Sequence, residues 1–257
     1  MEKKQKSLIH QFLFNNRQSL NKAPWSVKDA FLMIISAGII LLGFSWGSLH
    51  IATKIFGPEK IAEFFILNAK GIIIFGVFMQ VFVEMVLLFW FTKRKYNTSW
   101  KDFGLLPTPL KNTLELAIFL FVLVALGQNI FIIGMEMLGI PNMSEQGILT
   151  FLLEENMIPI WFLFIFAGVL APITEELIFR GFILPPLLEK WGFKWGVVIA
   201  AFIFSVAHLQ IQAGIILFLM GALLCVLYIR TQSLWPGIIF HSINNTLALA
   251  LLISSHS

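Results

Sequence analysis

Residues 158–184 read IPIWFLFIFAGVLAPITEELIFRGFIL, and this stretch decides the fold class. It is long enough to cross a bilayer, which takes about 20 predominantly apolar residues in a helix. Three ionisable side chains nevertheless lie inside it: Glu175, Glu176 and Arg180. Such a group near the bilayer centre costs roughly 2.5–3.5 kcal/mol on the insertion scale, so it usually marks a functional site. The stretch therefore predicts a membrane helix that carries a polar site.

The rest of the 257-residue chain also has the composition of a membrane protein. It is 58% hydrophobic and 12% charged, whereas soluble domains have about 45–50% and about 25%. This excludes a soluble nucleic-acid-binding protein, a disordered protein and a small secreted domain. The single cysteine, Cys225, excludes an internal disulfide framework and a multi-cysteine zinc site.

Seven apolar runs of the sequence are candidate spans. They lie near 30–52, 71–91, 113–138, 158–184, 195–209, 212–229 and 234–253. We therefore predict an all-α fold, a polytopic transmembrane helix bundle of about seven to eight spans. The fifth run is short and fits a tilted or half-buried helix. Residues 1–28 are predicted to form a basic cytoplasmic arm, and 29–257 a single transmembrane domain of a multi-pass cell-membrane protein.

The basic residues predict the orientation of the bundle. Fourteen of them fall in the N-terminal arm and in alternate loops. They are Lys3, Lys4, Lys6, Arg17, Lys22, Lys28, Lys93, Arg94, Lys95, Lys101, Lys111, Lys190, Lys194 and Arg230. The loop at 139–157, on the other side, has no Lys or Arg. The positive-inside rule then places the N-terminus in the cytoplasm; seven spans would leave the C-terminus outside, and an eighth would return it.

The spacing of the three charged residues in 158–184 predicts different roles for the two glutamates. Glu176 and Arg180 are four residues apart, so they share a helix face and can form an orienting ion pair. Glu175 points about 100° away and has no such partner. An unpaired, buried carboxylate suits a general base. Pro185 and Pro186 are predicted to end the helix.

Polar residues in two later runs add to this set. His208 follows the apolar run FIFSVA, in which Phe204 is predicted to pack rather than react. His241 and Asn245 are four residues apart in the last run and can offer two N–H donors to one point, which suits an oxyanion. They equally suit a polar contact between helices. Because four such groups on three helices are costly in a membrane, they are predicted to converge on a wet cavity.

These residues fall into three ordered motifs: EELIFR at 175–180, FSVAH at 204–208 and HSINN at 241–245. The order and spacing resemble the EExxxR, FxxxH and HxxxN motifs of the CPBP family, the CAAX-processing and bacteriocin-processing membrane proteases, also called the Abi family. The resemblance covers 158–253, the four C-terminal spans. It implies an intramembrane endopeptidase with its active site buried among those four helices.

The resemblance also implies a role for each residue. Glu175 and His208 would activate a water, while His241 and Asn245 would form the oxyanion hole. Glu176 and Arg180 would support these four residues.

Metal use stays open at this point. If a zinc ion is bound, Glu175, His208 and His241 are the predicted ligands. No H-E-x-x-H motif is present, and structures of relatives favour metal-free chemistry.

Two other function classes fit part of the sequence. An ion-coupled transporter would use the buried Glu and His side chains as a proton relay, and a non-catalytic scaffold would bind a membrane partner. Neither explains the three ordered motifs. The expected partners are a membrane-bound peptide or protein substrate and the lipid bilayer, with no nucleic acid. Outside the motifs, Glu84 fits either a cavity wall or an interfacial side chain, and a structural role is the simpler interpretation.

Overall fold

The computed structural model describes residues 8–14, 22–137, 158–210 and 213–256. The loop 139–157 and much of the N-terminal arm lie outside these ranges. The helices are α1 (Leu8–Phe14), α2 (Val27–Phe56), α3 (Pro58–Leu67), α4 (Ala69–Phe89), α5 (Leu110–Met137), α6 (Ile160–Ala207), α7 (Gly214–Thr231) and α8 (Trp235–His256). A π-helical turn, Trp90–Arg94, extends α4, and a 3-10 turn, Trp100–Phe103, follows it. Six of the described helices are long and apolar enough to cross a membrane, and the fold is an all-α polytopic bundle as predicted.

Helix α6 is 48 residues long and folds back on itself at Gly192. The backbone of Gly192 has φ 70° and ψ −179°, a conformation that essentially only glycine adopts. A Cβ on Gly196 would lie 2.9 Å from the Leu188 side chain, so the chain reverses within a few residues of the kink. The two arms, 160–191 and 193–207, correspond to the predicted fourth and fifth spans. With these arms counted separately, the described part of the bundle has the seven apolar segments predicted from sequence.

The prediction that Pro185 and Pro186 end the helix is wrong. Helix continues from Leu184 through both prolines to the kink at Gly192. Residues Glu176–Ile183 just before them form a π-helix, and the prolines occupy the first positions of the α-helical segment that follows. Since the N–H groups at the start of an α-helical segment have no α-helical partner, proline is tolerated there.

The second arm of α6 is too short to cross a bilayer. Its 15 residues, 193–207, span about 22 Å at 1.5 Å per residue, against about 30 Å for the hydrocarbon core. His208, which follows the arm, therefore lies at membrane depth rather than at the far surface. This fits the tilted or half-buried helix predicted for the fifth span.

Contacts near the helix ends place the N-terminal arm and the basic loops on one face of the bundle. Lys22 Nζ lies 2.8 Å from Glu189 Oε1, and Arg230 donates to the carbonyl of Phe12 in α1. Near the end of α4, Lys95 pairs with Asp29, whose hydrogen bond and charge raise the pKa of Lys95. This is the face for which the sequence predicts a cytoplasmic location.

Helix α4 runs parallel to the first arm of α6. The rings of Phe78 and Phe162 lie 5.8 Å apart near the start of both segments. Those of Phe91 and Phe182 lie 6.3 Å apart further along both. The first arm is thus packed between α4, its own second arm and α8, and every polar motif residue lies on or beside it.

Candidate active site

Three of the predicted site residues converge on one point. The Oε2 atom of Glu175 lies 3.7 Å from Nε2 of His208 and 3.8 Å from Nε2 of His241. Glu175 comes from the first arm of α6, His208 follows the second arm, and His241 comes from α8. The side chains of Glu175 and His208 are each 24% exposed, whereas that of His241 is 5% exposed. The site is therefore a pocket with limited access rather than a solvated surface.

The hairpin of α6 brings Glu175 and His208 together. Arg180 and Phe204 lie equally far from Gly192 along the chain, and the Phe204 ring centre is 4.3 Å from the guanidinium carbon. Glu176 and His208 are also equally far from Gly192, so the hairpin brings His208 to the level of Glu176 and its neighbour Glu175. The distance between Glu175 and His208 therefore depends on how the two arms are aligned.

Glu176 is the centre of a second, fully buried set of contacts. Its Oε1 atom accepts from Arg180 Nη1 at 2.8 Å, the ion pair expected from the spacing, and both side chains are at most 1% exposed. The same oxygen lies 3.1 Å from Nδ1 of His241. Arg180 also donates to the Gly221 carbonyl at 3.3 Å. Glu176 thus binds Arg180 of its own helix and His241 of α8 at the same time.

These contacts fix which nitrogen of each histidine faces Glu175. His208 Nδ1 lies 2.8 Å from the Phe204 carbonyl oxygen, which can only accept, so Nδ1 carries the hydrogen. His241 Nδ1 in turn donates to the Glu176 carboxylate. In the neutral form of each ring, Nε2 then presents a lone pair toward Glu175. Neither Nε2 donates directly to that carboxylate unless its ring is doubly protonated.

Phe204 is a packing residue, as predicted, and it contacts three members of the site. Besides Arg180, its ring centre lies 4.6 Å from that of His208 and 6.1 Å from that of His241. A cation over an aromatic face is attracted to it, more strongly where water is excluded. The ring therefore restrains the guanidinium and both imidazoles together.

Asn245 has a backbone partner outside the contacts that join Glu175, His208 and His241. Its Nδ2 donates to the Ala167 carbonyl oxygen at 3.1 Å. Ala167 belongs to the π-helical turn Phe166–Leu170, and π turns inside α-helices occur frequently at functional sites. One of the two amide hydrogens of Asn245 is thus used to join α8 to the first arm.

Other partners of the site could not be found from side-chain patterns. The Phe204, Ala167 and Gly221 acceptors are backbone carbonyls, which carry no residue-type signal. Gly237 is a further case: a Cβ there would lie 3.0 Å from Glu176 Oε2, so the missing side chain lets α8 approach.

Glu175, His208 and His241, the predicted metal ligands, are side chains of the kinds that zinc takes. Among the described residues, no group of three or more His, Cys, Asp or Glu side chains is placed to hold a metal ion.

The fold and this pocket define a class: an all-α membrane bundle with buried Glu and His side chains around one point. Residues 157–247 match the sequence model of the family described as "Type II CAAX prenyl endopeptidase Rce1-like". The chain is also 32% identical over 87 residues to "Putative membrane peptidase YdiL" of Bacillus subtilis (strain 168), a match covering 34% of this chain and 36% of that protein.

The chain thus spans about a third of the length of the curated relative it matches. No solved structure matches it significantly. The family match covers all three motifs, and both comparisons agree with the resemblance to the CPBP family of membrane proteases.

Proposed function

We propose that this protein is an intramembrane endopeptidase that hydrolyses peptide bonds of membrane-associated proteins or peptides. The observation that carries the proposal is the convergence of Glu175, His208 and His241 from three helix segments on one buried point. Glu175 Oε2 has no hydrogen-bond partner among the residues that the structure describes. The match to a membrane peptidase family supports this chemistry.

The proposed general base is Glu175. Its Oε2 and the Nε2 lone pair of His208 are two acceptors 3.7 Å apart, which suits a water that donates one hydrogen bond to each. Glu175 takes a proton from this water as the water oxygen attacks the carbonyl carbon of the substrate. It then gives the proton to the leaving amine nitrogen as the C–N bond breaks.

The proposed oxyanion donors are His241 and Asn245. Since Nδ1 of His241 donates to Glu176, its Nε2 can donate to the oxyanion only when the ring is doubly protonated. Asn245 keeps a second amide hydrogen after donating to Ala167. Such donors at a developing negative charge typically contribute about 10²–10³-fold to rate.

Substitution of the proposed water-activating pair tests the function. We expect Glu175→Ala and His208→Ala to lose at least about 10²-fold in cleavage while remaining folded in the membrane. The readout is the appearance of new peptide termini in membranes that contain each variant. Matched controls are Glu189→Ala and His50→Ala, which remove the same side-chain types away from the site and should cleave like wild type.

Full cleavage by a folded Glu175→Ala protein would remove that residue from the mechanism. Substrate flux into liposomes without peptide cleavage would favour a transporter instead. Rescue of a deletion phenotype by Glu175→Ala would favour the scaffold.

We further propose that the reaction does not use a metal ion. The support is that Oε2 of Glu175 and Nε2 of His208 can hold the attacking water between them without a further group. Purified active protein should then carry no stoichiometric zinc, and its cleavage rate should not fall in a chelator. Zinc at one per chain, with activity lost on its removal and restored on its return, would contradict the proposal.

A further inference from the structure

Glu84 on α4 lies outside the three motifs, yet its position relates it to the site. Leu88 and Phe91, four and seven residues later, share its helix face and are buried against the first arm of α6. Helix α4 also packs against Ala171–Glu175, the segment that ends at the proposed base. Glu84 is therefore on the side of α4 that meets the catalytic arm.

Two ring contacts bracket the depth of Glu84: it lies between Phe78 and Phe91 on α4, as Glu175 lies between their partners Phe162 and Phe182 on α6. Phe91 contacts Phe182, and seven residues before each of them stand Glu84 and Glu175. The two carboxylates therefore lie at a similar depth on segments that pack against each other.

Glu84 is part of a polar pair that acyl chains would not stabilise. Its Oε1 accepts from Gln80 Nε2 at 3.1 Å. Gln80 is exposed and Glu84 half-buried, within an otherwise apolar span. Because an ionisable side chain in hydrocarbon is costly, such groups almost always face a water-filled cavity or the bundle interior.

A peptide that is cut at membrane depth needs partners for its own backbone. An extended segment presents N–H and C=O groups, and each group left unsatisfied in the bilayer core costs several kcal/mol. On the α6 side, Arg180 is fully buried and engaged by Glu176 and Gly221. The Gln80–Glu84 pair on the α4 side offers acceptor oxygens at the required depth.

We propose that Glu84, held by Gln80, is a substrate-binding residue: its Oε2 accepts a hydrogen bond from a backbone N–H of the peptide beside the scissile bond. This rests on the proposed peptidase function. It assigns to the N-terminal helices one wall of the substrate cleft, opposite His208 and His241.

Thiol labelling tests the placement of Glu84 without relying on catalysis. The natural cysteine, Cys225, is buried, so the wild-type protein in native membranes gives the background. We expect a charged, water-soluble methanethiosulfonate to modify Glu84→Cys and Gln80→Cys. Phe82→Cys is the matched control: it points to the opposite side of α4 and is 62% exposed toward lipid, so it should stay at background. Labelling of Glu84→Cys no faster than Phe82→Cys would overturn the proposal.

Steady-state kinetics then show whether Glu84 contributes to substrate binding or to the chemical step. The probe is an internally quenched peptide that contains a bond cut by the wild-type protein. Glu84→Leu should raise KM about tenfold or more, the effect of one charge-assisted hydrogen bond, with kcat within about threefold of wild type. Glu84→Gln keeps an acceptor oxygen and should restore most of the affinity. Unchanged KM, or a loss confined to kcat, would overturn the proposal.

Two outcomes separate this proposal from the proposed function. If Glu84→Leu does not fold, protection of Glu84→Cys from labelling by the same peptide replaces the kinetic test, and no protection overturns the proposal. A wild-type protein that cuts no peptide would overturn the substrate role and the peptidase function together. An active wild-type protein with an unlabelled Glu84→Cys would overturn only the role of Glu84.

Discussion

Glu175 and Glu176 are neighbours in the chain, but they face different surroundings. Glu176 is 1% exposed and accepts from both Arg180 and His241. Glu175 is 24% exposed and faces two imidazole nitrogens. The sequence predicts the first of these contacts, since an i, i+4 pair is a property of one helix. The His241 contact joins residues 65 positions apart, so no local spacing could predict it.

The His241–Glu176 contact also changes what His241 can do. Sequence spacing alone suggests that a neutral His241 offers an N–H beside Asn245. In the structure, the N–H of the neutral ring is used by Glu176, and Asn245 uses one of its own on Ala167. The choice of tautomer depends on tertiary partners, which is why residue types alone do not fix it.

At the residue scale we predict that Arg180→Leu is far more destabilising than Glu175→Gln. Leucine would leave the Glu176 carboxylate buried without its guanidinium, and breaking a buried pair in this way costs about 3–5 kcal/mol. Glu175→Gln leaves that pair intact. The check is the thermal unfolding midpoint of each purified protein, followed by circular dichroism in detergent. Equal midpoints for Arg180→Leu and wild type would show that the pair does not stabilise the fold.

At the element scale, the hairpin of α6 has the greatest effect on the geometry of the site. Sequence reasoning predicts the apolar runs 158–184 and 195–209, because apolar length is a local property. It places the break at Pro185 and Pro186, whereas the chain turns at Gly192. The π-helical segment before the prolines absorbs them, and a change of helix type leaves no residue pattern that sequence reasoning could use.

We predict that Gly192→Ala disturbs both stability and catalysis. The backbone of Gly192 lies in a region that essentially only glycine occupies, and forcing another residue into it costs about 1–3 kcal/mol. Relief of that strain would shift the second arm of α6 relative to the first. The distance between His208 and Glu175 would then change. A displacement near 1 Å can reduce a rate about 10²-fold.

The measurements for Gly192→Ala are the thermal midpoint and the cleavage rate of the quenched peptide. Gly38→Ala is the matched control: Gly38 is inside α2, and an added Cβ meets nothing within 4 Å. Since alanine favours helix over glycine by about 1 kcal/mol, this variant should be as stable as wild type or more so. If Gly192→Ala behaves like Gly38→Ala, the kink does not control the site.

At the scale of the whole molecule, the N-terminal and C-terminal helices contribute in different ways. The motifs and the family match lie in 157–247, and sequence reasoning finds them because chemistry needs particular residue types. The N-terminal helices carry no such motif, yet α4 packs along the first arm of α6. Trp25, just before α2, donates from Nε1 to the Phe182 carbonyl at 2.7 Å. These helices are therefore part of the scaffold that positions Glu175.

The orientation of the molecule in the membrane gives the last prediction. The structure groups the N-terminal arm and the basic loops on one face, and the positive-inside rule predicts that this face is cytoplasmic. The hairpin at Gly192 adds one reversal to the six candidate helices, so the C-terminal end of α8 should lie outside.

Single cysteines at Lys60, Lys101 and Ser254 test this with a membrane-impermeant maleimide on intact cells, because Cys225 is buried. We expect Lys60→Cys and Ser254→Cys to be labelled at once and Lys101→Cys only after permeabilisation. Labelling of Ser254→Cys together with Lys101→Cys would contradict this orientation of α8.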